Sequence, residues 1–147
     1  MGVSVLSDVH TKAIRNAIWF NNESEVASVS FDQTCAITDP ESGQVTNRLQ
    51  ASSILTAVCD HSTDMNTVLI GAKNLVLSWD TRTNKAANSY KSLMGQVQDI
   101  ICLNGDEFIV CGDVVSKESA QYSIMVWDFK STAVLSDQIF HVKHYLN

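Results

Sequence analysis

The sequence predicts an all-β fold: about three four-stranded antiparallel units in tandem, too few to close on themselves. Three observations predict it. Short strand-like runs dominate the 147-residue chain, and no segment holds a helical period for long. Two of those runs, 75–80 and 124–128, close on Trp79-Asp80 and Trp127-Asp128. A weaker copy, Ala36-Ile37-Thr38-Asp39, lies upstream, and the three Asp residues stand 41 and 48 positions apart.

The first unit reads as runs 13–20, 25–31, 34–38 and 44–49. Between the third and fourth lies Asp39-Pro40-Glu41-Ser42-Gly43. Pro presets φ there and Gly supplies a positive one, so the chain turns. The second unit reads as 54–59, 67–72 and 75–79, a turn over 80–85, and an outer strand at 86–90. The third reads as 97–103, a turn at 104–107, then 108–112, 122–127 and 134–140. A polar insertion, 114–120, accounts for the longer second spacing and is expected to be an exposed rim loop. The chain is thus expected to form one partial domain over 1–147. Its units span about 9–50, 51–91 and 92–141, followed by a non-matching tail at 142–147. Ile14, Ala17 and Trp19 are expected to pack between sheets, joined by Val26 and Ile37.

Composition narrows the function. The net charge is −6 and the ten Lys and Arg are scattered singly, so direct nucleic-acid binding is not expected. No apolar run approaches the ~20 residues of a membrane span, so no membrane partner is expected. The start has neither the basic nor the long apolar region of a signal peptide. An intracellular location, nuclear or cytoplasmic, is the expectation. Cys35, Cys59, Cys102 and Cys111 form no Cys-x-x-Cys pair, which favours buried reduced thiols over disulfides or zinc. The sequon Asn22-Glu23-Ser24 is then a chance match. His141 and His144 lack Cys or carboxylate neighbours and do not read as a metal site. With no phosphate loop and no nucleophile motif, no cofactor, no metal and no enzymatic activity are expected.

A period of roughly 40–45 residues ending in Trp-Asp marks WD repeats, each one blade of a β-propeller. The chain resembles that family in Ser123–Lys130 and in Ser136-Asp137-Gln138-Ile139-Phe140-His141. It does so again in His10–Arg15, Phe31-Asp32, and Trp79–Lys85 through to Ser89-Tyr90-Lys91. The resemblance covers 9–141 and points to the branch related to the pre-mRNA splicing factor Prp seventeen, whose partners belong to the spliceosome. It implies a ring of about seven blades, of which three are present. A truncated isoform, a partial gene model or a fragment is the expectation.

The same resemblance assigns residues. His10, Ser28 and Asp32 match three members of the family's buried polar tetrad, with Thr38 where the Trp should be. Their residue types also match a catalytic triad, but the spacing is that of the blade network and no oxyanion loop accompanies them. Asp39, Trp79, Asp80, Trp127 and Asp128 complete the expected structural set. The second copy has Lys73-Asn74 where the turn Asp would be, and the third offers Asp113. A binding platform for other proteins is the expected function, with Lys12, Phe31 and Lys73 as contact residues on the turns. Self-association through the uncovered blade faces is also expected. One alternative is a truncated isoform or fragment with little activity of its own; the other is a ubiquitin-ligase substrate receptor. Trp79-Asp80-Thr81-Arg82 resembles the box that docks propellers on the cullin-four adaptor, with Arg82 as the contact.

Overall fold

Short runs rich in apolar and β-branched residues build the strands, and residues 34–38 and 67–72 are buried throughout. The computed structural model describes residues 3, 5–115 and 120–142. Among them there are ten strands and no helix. They are β1 (Ile14–Phe20), β2 (Glu25–Ser30), β3 (Thr34–Thr38), β4 (Val45–Gln50) and β5 (Ala57–Asp60). Then come β6 (Thr67–Asp80), β7 (Ala86–Cys102), β8 (Glu107–Val115), β9 (Ala120–Asp128) and β10 (Val134–Val142). One sheet has the order β1-β2-β3-β4, the other β10-β9-β8-β7-β6-β5, with neighbouring elements antiparallel.

The two long elements explain why one sheet has six members. β6 pairs with β5 through its first arm (Ala57↔Gly71) and with β7 through its second (Leu75↔Lys91). Thr81 N donates to Asn66 O at 2.8 Å, so the ends of β6 meet. The reversal is a tight turn at Lys73-Asn74, where Asn74 takes φ 56°, a conformation Asn tolerates. β7 passes from β6 to β8 at Gln96, which pairs with Lys73 on one side and Asp113 on the other, just after Gly95 at φ 69°. The expected unit boundary at 91/92 falls shortly before this, inside β7. Counted by arms, the chain forms three layers of four strands. The first is β1–β4. The second is β5, both arms of β6 and the first arm of β7. The third is the second arm of β7 with β8, β9 and β10. No ladder joins the two sheets among the described residues, and the ring is not closed.

Two clusters hold the layers together. Phe20, Val29, Ile37 and Leu49 of the first layer meet Leu55, Val58, Ile70 and Trp79 of the second. Val76, Tyr90 and Met94 of the second meet Ile100, Phe108, Met125 and Trp127 of the third. A Cβ on Gly112 would run into the carbonyl oxygen of Met94, so the close approach of β7 to β8 requires glycine.

The structure corrects three expectations. Ile14 and Trp19 are 54% and 58% exposed, and Ala17 is exposed too. Register explains it: Ala17 and Trp19 lie opposite Ser28 and Val26, on the face turned away from the second layer. Val26 is half-buried on that same face, while Phe20, Ile18 and Ile37 face inward. An irregularity between Ile14 and Asn16 shifts the pairing by one residue, which exchanges faces. Secondly, only Cys35 is a buried thiol; Cys59, Cys102 and Cys111 are half-buried, and all four are free. Thirdly, the insertion is partly strand, since Val115 pairs with Ala120 and extends the β8–β9 hairpin. Residues 116–119 and 143–147, including His144, lie outside the described residues, as does the His141 side chain.

The outer faces differ in cover. Along the first layer, Val9 is buried and its carbonyl accepts from Arg48 Nη2 at 2.7 Å. On the third layer, Ile101, Tyr122 and Ile124 are 50%, 45% and 39% exposed, an apolar face with little over it among the described residues.

Candidate functional site

The polar cluster of the first layer starts from the β2–β3 turn. Asp32 stands in that turn, and its Oδ1 accepts from Thr34 N at 3.0 Å and from Thr34 Oγ1 at 2.6 Å. Its Oδ2 accepts from Thr11 N at 3.0 Å and lies 3.0 Å from His10 Nδ1. Burial opposes the charge of Asp32. Those hydrogen bonds outweigh it, the Thr34 hydroxyl first, and hold the carboxyl well below the usual range. An ionised carboxylate can only accept, so the proton sits on His10 Nδ1. On the other side of the ring, Nε2 lies 2.8 Å from Ser28 Oγ. The His10 and Asp32 side chains are only 1% and 7% exposed, so the pair is shielded from solvent.

Two members of this cluster carry no signature in the sequence. Thr34 bridges Asp32, His10 Nδ1 and Arg48 Nη1, the last at 3.1 Å. Arg48 shares a cross-strand row with Ser28 and Ala36, and the small Ala36 between them leaves the guanidinium room. Only the register would have found Arg48.

Thr38 stands apart. Its hydroxyl is buried with no partner among the described residues, so the hydrogen-bond chain ends at Ser28. The two Trp residues stand outside such chains as well. Trp79 is fully buried, and its Nε1 donates to Thr83 O at 3.0 Å. Trp127 is buried against Tyr90 and Phe108, and its Nε1 has no partner among the described residues. Register gives the reason. Trp127 pairs with Phe108 as Thr38 pairs with Val26, which puts Val110 where the first layer has Ser28. A valine cannot accept from an indole.

Asp39, Asp80 and Asp128 share a different role: each caps the turn after its strand. Asp39 accepts from Glu41 N and Ser42 Oγ at 2.9 and 2.7 Å. Asp128 accepts from Ser131 N at 2.9 Å and from the Ser131 hydroxyl. Asp80 takes Arg82 as a fork, Nε to Oδ1 at 2.9 Å and Nη2 to Oδ2 at 2.7 Å. The Arg82 side chain beside it, then its N–H, holds the Asp80 carboxyl down to about 2. Arg82 is 67% exposed with its guanidinium committed to Asp80.

The remaining contact candidates are divided between the two ends of the layers. Ser30 Oγ donates to Lys12 O and Ala13 O, and Phe31 N donates to Ala13 O at 3.0 Å. These bonds hold the Lys12–Ala13 backbone to the start of the turn that carries Phe31. Phe31 is half-buried, and Arg15 stacks over its ring at 5.0 Å. Leu55 N donates to Ser30 O, which puts the start of β5, and with it the β6 turn bearing exposed Lys73, at the same end. Arg82 is at the opposite end. Asp113 lies in β8 rather than in a turn and accepts from Gln98 Nε2 at 3.0 Å.

No protein-family model matches the chain. It is 34% identical over 138 residues to WD repeat-containing protein 25 of Mus musculus. The match covers 92% of this chain but 26% of that protein's length, so the chain spans about a quarter of the relative it matches. Antiparallel four-stranded layers, Trp-Asp strand ends and this relative together make the fold a partial WD-repeat β-propeller of about three blades, its ring not closed.

Proposed function

We propose that the chain is a non-catalytic platform for other proteins, and that its contact surface is the blade end carrying Lys12, Arg15, Phe31 and Lys73. One observation carries the reading. The His10–Asp32–Thr34 cluster is shielded and fully bonded, and it fixes the turn that presents Phe31 and Lys12. A rigid turn with a half-buried aromatic under a guanidinium suits a docking anchor. The histidine has Ser28 on one side and a turn carboxylate on the other, both within hydrogen-bond distance and shielded from solvent, so the trio reads as structural. Docking to nuclear pre-mRNA processing proteins is the refinement favoured by the resemblance to the splicing factor.

The test is affinity purification of the chain with quantitative comparison of variants. Phe31→Ala with Lys73→Glu should lose splicing proteins while the fold, followed by circular dichroism, stays intact. Unchanged recovery would overturn the assignment of this end. A second reading has its own observation, since Arg82 is exposed and held in one geometry by Asp80. If the chain is instead a ligase receptor, Arg82→Ala removes the cullin-four adaptor and spares the splicing proteins. The outer face of the third blade, where Ile101, Tyr122 and Ile124 are exposed among the described residues, supports self-association, which sedimentation should reveal as a concentration-dependent mass. A monomer with a sharp, concentration-independent thermal transition would contradict it.

A further inference from the structure

The stack of three blades ends in two faces that look away from each other. On the first blade, one cross-strand row is Trp19, Val26 and Thr38. It lies on the face turned away from the second blade. On the third blade, one row is Ile101, Ile109 and Val126. It alternates along its strands with Ile100, Phe108, Val110, Met125 and Trp127, which pack towards the second blade, so it faces away from that blade. Trp19 and Ile101, on the first strand of each row, are 58% and 50% exposed.

Each row has a covered counterpart inside the chain. Thr38 and Trp127 hold matching places in their blades, near the end of the third strand and paired with the second. Trp19–Val26–Thr38 therefore matches Cys102–Phe108–Trp127, which packs back towards the second blade. Ile101–Ile109–Val126 in turn matches Ile18–Ala27–Ile37, which packs forward onto the second blade. The two end faces are thus opposite halves of the seam that the chain already makes twice. Charge agrees with that pairing. Asp113 lies on the same strand face as Ile109, opposite Tyr122. Its other partner, Gln96, donates to Thr56 Oγ1 at 2.9 Å, and the neighbouring Leu55 N donates to Ser30 O. Asp113 is therefore at the blade end where Lys12 and Arg15 lead into β1. Stacked in register, an acidic edge meets a basic one.

We propose that the occupant of the third blade's outer face is the first blade of a second copy of this chain, and that two copies close head to tail into one ring. The interface is heterologous, and such an interface gives a closed ring when its rotation closes. Two copies supply six blades, within the roughly four to eight that propellers use. Trp19 of one copy then covers the Ile101 row of the other, and Asp113 faces Lys12 and Arg15. The proposal rests on the self-association of the chain and adds which faces meet.

The test is sedimentation of the 147-residue chain with Trp19→Asp and Ile101→Asp, each variant alone and then the two mixed. Both side chains are half exposed, so circular dichroism should show the strands intact. Each variant alone should raise the dimer Kd roughly a hundredfold, because both seams then bury an unpaired carboxylate. The equimolar mixture should recover a dimer, since one seam joins the unaltered Trp19 of one variant to the unaltered Ile101 of the other. Dimerisation that survives either single variant would overturn the pairing, as it would mean that one face meets its own copy. A mixture that stays monomeric would overturn it too, and a wild-type mass that grows beyond two copies would overturn the closed ring. A wild-type chain that is monomeric at every concentration would remove self-association itself. Trp19→Ser and Ile101→Ser, milder changes at the same sites, should give the same pattern and replace an Asp variant that unfolds.

Discussion

The first and third blades hold the same four-stranded shape by opposite means. The first uses a shielded charge: Asp32, His10, Thr34, Ser28 and Arg48 bond one another across three strands and the entry segment. The third uses aromatic packing. Phe108 lies parallel to Trp127 at 6.4 Å, and Tyr90 meets both edge-on at 4.9 and 5.8 Å. Its polar atoms fare worse, for Trp127 Nε1 and Ser123 Oγ find no partner among the described residues. The difference teaches that Trp and network are alternatives in this chain. In the first blade, where the network survives, a threonine replaces the Trp; in the third, where the Trp survives, Val110 stands in the place of the network's serine. A hydrogen-bonded cluster specifies one geometry because each buried group demands its partner, whereas aromatic packing tolerates small shifts.

The largest expected effect breaks the aromatic side. Trp127→Ala should lower stability by about 3–5 kcal/mol, the cost of an emptied site in a core, measured by denaturant unfolding. Next comes the charged side, probed by pH. Asp32 has a depressed folded-state pKa, so its contribution is fully present above its unfolded value near 3.8 and is lost as pH falls below that value. Wild-type stability should therefore fall on acidification below about pH 4. Asp32→Asn should be less stable at pH 7 and show a shallower fall. Asp39, Asp80 and Asp128 are also depressed, but they face solvent and weigh less. An identical acid slope in the variant would count against the first blade's dependence on this charge. The smallest effect sharpens the contrast: Thr38→Val removes a buried hydroxyl that has no partner among the described residues and should stabilise by about 1 kcal/mol, read as a raised Tm.

Much of this was legible in the sequence. The strand runs and the turn at Asp39–Gly43 follow from local residue types, which act over a few neighbours, whereas the polar trio follows from the family resemblance. The strand ends hid more. Nothing local says that Lys73-Asn74 reverses β6 within two residues, or that β7 serves two blades, because those depend on pairing partners far along the chain. Ile14 and Trp19 were misread for a related reason. Period-two alternation gives two faces but not which one meets the neighbour, and one irregularity in β1 exchanges them. Arg48 and Thr34 were invisible as site residues because only the three-strand register assembles them with His10.

The most direct test of the contrast is a double-mutant cycle on His10→Ala and Asp32→Ala, read as unfolding free energies at pH 7. A buried hydrogen bond to a charged group predicts a coupling of about 1.5–3 kcal/mol. Additive single effects, with a coupling near zero, would contradict the claim that this pair locks the first blade.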